Sequence, residues 1–166
     1  MLFRSDRYAP FRDDWALSLS ARGREAIADY LASGRGLLAI HAAPISFDDW
    51  PAWAGLLGVG WRWGVSHHPP FGPAEIRPAR AHPITDGMEP FETADEIYSG
   101  LDVADWMVPL AEGRTPETAW TPVVYAGERD GARRAWCGIG HCAASFAHPG
   151  YAAMIARAAR WVARDL

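Results

Sequence analysis

GLLAIHA, residues 36–42, is a continuous apolar run with a glycine in front and a histidine near its end. A run this short and this uniformly apolar, following a helical segment, suits a strand buried on both faces of a parallel sheet. Upstream, Ser18 or Ser20 can cap a helix reaching about Ser33, with Ile27, Tyr30 and Leu31 on one face and Gly34 and Gly36 ending it. Downstream, 48–57 reads as a short helix with Pro51 in its first turn, and 58–73 as an aromatic, glycine- and proline-rich loop. AEIRP (74–78) reads as a strand, HPITDG (82–87) as a turn, and DEIYSGL (95–101) and DWMVPLA (105–111) as strand-like. Residues 122–141, PVVYAGERDGARRAWCGIGH, form a hairpin pattern that turns at Asp130-Gly131. Pro149 opens a last helix, with Met154, Ile155, Ala158, Trp161 and Val162 on its apolar stripe. This order defines one α/β domain over residues 1–166, in which 1–17 form an irregular lead-in.

Composition removes whole classes of chemistry. All 16 basic residues are arginine, which excludes Schiff-base formation, pyridoxal phosphate attachment, a lysine base and a Walker A loop. A net charge of −4 argues against nucleic acid and anionic membrane as partners. No signal peptide and no apolar run of spanning length is visible, so the cytoplasm is the expected location. GxSxG and GxGxxG are both absent, and the two cysteines, Cys137 and Cys142, form no CxxC.

The histidines carry the remaining signal. His41 ends the best-defined strand and His141 ends the second strand of the hairpin. Ligands of open α/β sheets bind beyond the carboxyl ends of strands, so these two can share one cleft. His67 and His68 are adjacent and point in different directions, so at most one faces that cleft. His82 and His148 read as turn and cap residues. Asp95 and Glu96 bring carboxylates that suit a general base or a metal ligand. Four of the nine tryptophans, Trp50, Trp53, Trp61 and Trp63, fall between His41 and His67. Their faces suit a sugar-like ligand, with Trp53 better read as core.

Five stretches occur in an order that resembles the ThuA-like (trehalose utilisation) family of the class I glutamine-amidotransferase-like superfamily. They are SGRGLLAIHAAPISFDDWPAW (33–53), LLGVGWRWGVSHHPP (56–70), AHPITDGMEPFETADEIY (81–98), the 122–141 hairpin and ARAARW (156–161). The resemblance implies a flavodoxin-like three-layer α/β/α domain with a mostly parallel sheet. Amidotransferase relatives carry a nucleophilic cysteine after the strand that here ends in His41-Ala42-Ala43, so glutaminase chemistry is not expected. His141 takes the place of their catalytic histidine. The family's first strand–helix unit has no counterpart here, which implies an N-terminally incomplete fold. GLLAIHA would then have an open edge that a homodimer could cover. The hairpin also departs from the family, reading GERDGARRAW where a GKGRV-like stretch is usual.

The resemblance points to catabolism of trehalose or a related keto-sugar by hydrolysis, elimination or isomerisation. His141, His41 and Glu96 are the catalytic candidates, and Trp50, Trp63, His68 and Tyr98 the substrate-binding ones. The one cofactor this leaves open is a divalent metal, with His41, His67 and His141 as ligands. The alternative is a non-catalytic sugar-binding or interaction module that has lost the nucleophile.

Overall fold

The computed structural model describes residues 18–166, so the expected lead-in over 1–17 lies outside the described residues. Helix α1 (Ala21–Ala32) begins at Ser20, whose hydroxyl accepts the Gly23 N–H, and ends at Gly34 with φ of 80°. Leu31 is buried and Ile27 half-buried, whereas Tyr30 turns outward beneath the Arg35 guanidinium, 5.5 Å from its ring. Strand β1 (Leu37–Ile40) comes next. A side chain on Gly36 would lie 2.0 Å from the Val162 carbonyl oxygen, so only glycine lets β1 begin this close to the last helix. A 3₁₀ turn (Ala43–Ile45) leads to α2 (Ala52–Leu57), shorter than the sequence pattern suggested.

The loop after α2 contains β2 (Val59–Gly60), which pairs with β5 (Asp102–Val103) in a small second sheet. β3 (Gly72–Pro78), β4 (Phe91–Asp95), β6 (Val108–Arg114), β7 (Thr121–Arg129) and β8 (Ala132–Cys137) join β1 in a six-stranded sheet ordered β1-β8-β7-β6-β3-β4. Only the β1–β8 pair is parallel; the other pairings are antiparallel. The expectation of a mostly parallel sheet is therefore corrected. Parallel neighbours need a crossover, and between β3 and β8 the chain supplies only turns and short loops. DEIYSGL is corrected as well: β4 ends at its first residue, and residues 96–98 leave the sheet as irregular backbone. The 122–141 hairpin forms as its sequence suggests, with Asp130 and Gly131 at φ of 52° and 72°, the signs a type I′ turn requires.

Both faces of the sheet are covered, which makes three layers. Along β8, Ala135 and Cys137 join one core with Tyr151, Met154, Ala158 and Trp161 of α4 (Pro149–Val162). Trp136 faces the opposite core with Ile27 of α1 and Trp53 and Leu57 of α2. A short α3 (Ala143–Ala147) connects β8 to α4, and His148 caps α4 by accepting the Gly150 N–H. No helix among the described residues is long and apolar enough to cross a membrane.

Candidate functional site

β1 and β8 run in the same direction, and alternation across the remaining pairs gives β4 that direction too. Their carboxyl ends deliver His41, His141 and the Asp95-Glu96 pair to one place. His41 is 3 % exposed and holds φ of 48°, a left-handed conformation uncommon outside glycine. Three bonds hold it there. Its N–H donates to the Cys137 carbonyl at 2.7 Å and its carbonyl accepts the Trp136 indole N–H at 2.9 Å. Its Nδ1–H donates to the Gly138 carbonyl at 2.8 Å. This last bond fixes the tautomer and turns Nε2 toward the Tyr98 hydroxyl at 3.2 Å and Glu96 Oε2 at 3.4 Å.

Glu96 is the hub. Oε2 also lies 3.2 Å from Nδ1 of His141, and Oε1 lies 3.6 Å from Nδ1 of His68. Burial alone would lower the His41 pKa, but the Glu96 hydrogen bond, the Gly138 carbonyl and the charges of Asp95 and Glu96 outweigh it and raise it. Burial alone would raise the Glu96 pKa, but the His41 hydrogen bond and the charges of His68, His141 and His41 bring it down. Both shifts are in the direction that favours the ion-paired form over the neutral one.

Asp95 is fully buried and organises this group without belonging to its open side. Oδ2 accepts the Gly140 N–H at 2.8 Å and the Ser145 hydroxyl at 2.6 Å, while Oδ1 accepts the Glu96 N–H at 2.9 Å. The His141 N–H points at the same carboxylate, 3.3 Å from Oδ2. One carboxylate thus ties the end of β4 to the Gly138–His141 loop and to α3.

His41, Glu96 and His141 offer ligand atoms all within 4.8 Å of one another. Two donors each about 2.1 Å from a shared zinc-like ion lie about 3–3.4 Å apart. The two Glu96 separations, 3.2 and 3.4 Å, fit that requirement, and the His41–His141 pair lies within 4.8 Å. The supporting bonds fit as well, because a ligating histidine normally donates its other N–H to a carbonyl or carboxylate, as His41 does to Gly138. The expected trio of His41, His67 and His141 is not assembled. His67 pairs with Ser99 through its backbone, is exposed, and bonds its ring to the Val65 carbonyl. Glu96 stands where that third ligand was expected.

His68 and Tyr98 border the centre, their rings stacked 5.1 Å apart. Trp50 and Trp63 lie elsewhere, in a cleft of about 200 Å³ whose lining includes neither His41 nor His141. His82 and His148 each accept a nearby backbone N–H, in keeping with their places in a turn and at a helix start. Cys137 is fully buried, which pushes its thiol up to about 12 and leaves no thiolate at neutral pH. The turn after β1 carries Ala42 and Ala43, so that turn offers no cysteine to attack.

A three-layer α/β/α domain with a histidine after its late parallel strand, and alanines where the nucleophile would stand, has the character of the class I glutamine-amidotransferase-like superfamily without its glutaminase cysteine. The chain belongs to the ThuA family: the family model, described as trehalose utilisation, matches residues 14–162. Among solved structures it is similar to a ThuA-like protein of Parabacteroides merdae, with TM-score 0.77, 17% identity, 90% of this chain and 68% of that one covered. A ThuA-like protein of Bacteroides uniformis gives TM-score 0.68 and 20% identity over 89% of this chain and 66% of that one. A cytoplasmic protein of Salmonella typhimurium gives 0.67 and 15% over 92% and 65%. The chain thus spans about two thirds of the length of these structures. No curated protein matches it significantly.

Proposed function

We propose that this chain processes a carbonyl-bearing sugar derivative at the His41–Glu96–His141 centre with the help of a divalent metal. The observation that carries the reading is the convergence of two imidazoles on one carboxylate oxygen, at 3.4 and 3.2 Å. Such a metal polarises a carbonyl or activates water, which serves hydrolysis, elimination and isomerisation alike. His141 is 41 % exposed and is the member best placed to exchange protons with a ligand. Buried His41 and half-buried Glu96 hold the geometry. The family's description, trehalose utilisation, supports a sugar substrate, and the carbonyl chemistry of the centre favours a keto-sugar related to trehalose over trehalose itself, which has no free carbonyl. A cytoplasmic setting accords with two Salmonella typhimurium relatives that are described as cytoplasmic proteins.

Elemental analysis of freshly purified protein tests this reading. Near-stoichiometric zinc, manganese or cobalt that is lost in His41→Ala supports it, and metal-free folded protein that binds none on titration overturns it. A second reading, a sugar-binding module without turnover, is favoured by the alanines that come after His41. His141→Ala separates the two, since an enzyme loses turnover of keto-sugars while a binding module keeps its affinity.

A further inference from the structure

Between α4 and the turn at residues 81–87 the molecule opens a cavity of about 750 Å³. It lies far from the centre. The end of α4 meets Gly36, where β1 begins, and His41 follows the other end of that strand. Drug-sized ligands fill pockets of roughly 300–1,000 Å³, so the cavity can take a whole small molecule. Its lining includes His82 and Asp86 from the turn and Arg157 and Arg160 from α4. Arg160 has a role in the fold: it is exposed in the last helical turn and donates to the Asp165 carbonyl at 3.3 Å. Arg157 has no such role. It is half-buried, lines this cavity and a neighbouring one of about 280 Å³, and has no hydrogen-bond or carboxylate partner among the described residues. Gly87, at φ of 63°, leaves space for its guanidinium beside the turn, since a Cβ there would lie 3.7 Å from Nη2.

His82 adds a second donor. Its Nδ1 accepts the Ile84 N–H at 3.2 Å, so the neutral ring carries its proton on Nε2. Burial and then the charge of Arg133 lower its pKa, and the second cause means that positive potential reaches the cavity wall. Arg133 itself stacks on Trp161, the ring against which His82 packs. A half-buried guanidinium without a counter-ion, beside a neutral N–H donor, matches the forked acceptor geometry of a phosphate or carboxylate group. Asp86, exposed at the rim, would repel a second negative charge but accepts hydroxyl protons. We propose that this cavity binds a small hydroxylated ligand through a single phosphate or carboxylate group held by Arg157 and the His82 Nε2–H. The site stands independently of the chemistry at the His41–Glu96–His141 centre.

Sulfate and succinate are the probes, the first standing for a phosphate ester and the second for a carboxylate, with ionic strength held constant by chloride. Histidine ring signals in NMR of the full chain report where they bind. The expected result is a saturable shift of His82, with His67 and His141 unmoved, and a His82 pKa raised by the bound anion. Saturation by sulfate alone assigns the site to phosphate esters, and by succinate alone to carboxylates; either supports it. Arg157→Gln should weaken binding at least about tenfold, as the loss of a charge-assisted hydrogen bond does, and leave the melting temperature unchanged. Arg22→Gln, which removes an exposed charge on α1, should leave the affinity as it was. A His82 shift that grows linearly with concentration means an adventitious ion only and overturns the site. Equal losses in the two variants overturn it too, as does a shift of His141 in place of His82.

Discussion

The most consequential single side chain is Asp95, a fully buried carboxylate satisfied by the N–H groups of Glu96 and Gly140 and the Ser145 hydroxyl. Asp95→Asn replaces one acceptor oxygen by a donor facing other donors. The expected cost is about 2–4 kcal/mol, read as a lower denaturant midpoint at unchanged m. Metal affinity should fall with it, because the His141 loop loses its tether. A variant as stable as wild type would remove Asp95 from this role. His82 makes a pH-dependent contribution of its own. Burial and then the positive charge of Arg133 lower its pKa, and its ring accepts the Ile84 N–H at 3.2 Å while packing on Trp161 at 5.0 Å. The neutral ring is the one the fold accepts. Its contribution is therefore full above the unfolded-state value of 6.5 and lost as pH falls through the lowered folded value. Melting curves at about pH 8 and pH 5 should show wild type losing more stability than His82→Gln; equal losses would refute this. His41 and His141 could be read as neighbours because both were expected at strand ends; His41 does follow β1 directly, whereas β8 stops at Cys137 and His141 lies four residues beyond it in the loop. Asp95 was legible only as half of an acidic pair, since nothing local announces which of two adjacent carboxylates faces inward.

At the scale of elements, β8 is what couples the core to the centre. Trp136 is fully buried between α1, α2 and the sheet, and its indole holds the His41 carbonyl at 2.9 Å. Trp136→Phe keeps an aromatic ring but opens a void and strands that carbonyl. A stability loss of about 2–3 kcal/mol should result. Metal affinity should drop about tenfold, as it does when a supporting partner is lost. Titration of the folded variant decides: unchanged affinity would mean that the left-handed turn at His41 holds itself. The strands legible in the sequence were β1 and the β7–β8 hairpin, from a continuous apolar run and an Asp-Gly turn, with AEIRP inside β3 and the end of DWMVPLA inside β6. β4 escaped because FETAD is half polar, and its alternation is hidden by buried Asp95 at its end. The antiparallel pairing of β3, β4 and β6 escaped for a different reason, since strand direction is set by connections and not by residue types.

Across the whole molecule, the centre joins parts that the sheet order separates. β1 and β4 are the two outermost strands of six, yet His41 from one and Glu96 just beyond the other approach to 3.4 Å. The sheet must curl until its edges nearly meet, and the His41–Glu96–His141 group lies at the seam. Among the described residues β1 has β8 as its one strand neighbour, so half of that seam is an edge. A homodimer built on that edge would show a sedimentation coefficient that rises with concentration, and a cooperatively melting monomer would argue against it. A ligand bound at the seam acts on the fold in another way. On the proposed reading, an ion held by His41, Glu96 and His141 would link both edges and bind the folded state alone, so at a hundred times its Kd it would add about 2.7 kcal/mol of stability. Hydrogen exchange then shows where that stability goes. Zinc should slow the amides of β1 and β4 beyond their metal-free rates, with little change in the β7–β8 turn at Asp130-Gly131, and EDTA should reverse it. Protection spread evenly over the chain would mean that the ion suppresses only global unfolding. Protection confined to the Gly138–His141 loop would mean that the seam does not close through Glu96. Slowing at both edges together is the outcome that a site assembled across the sheet requires.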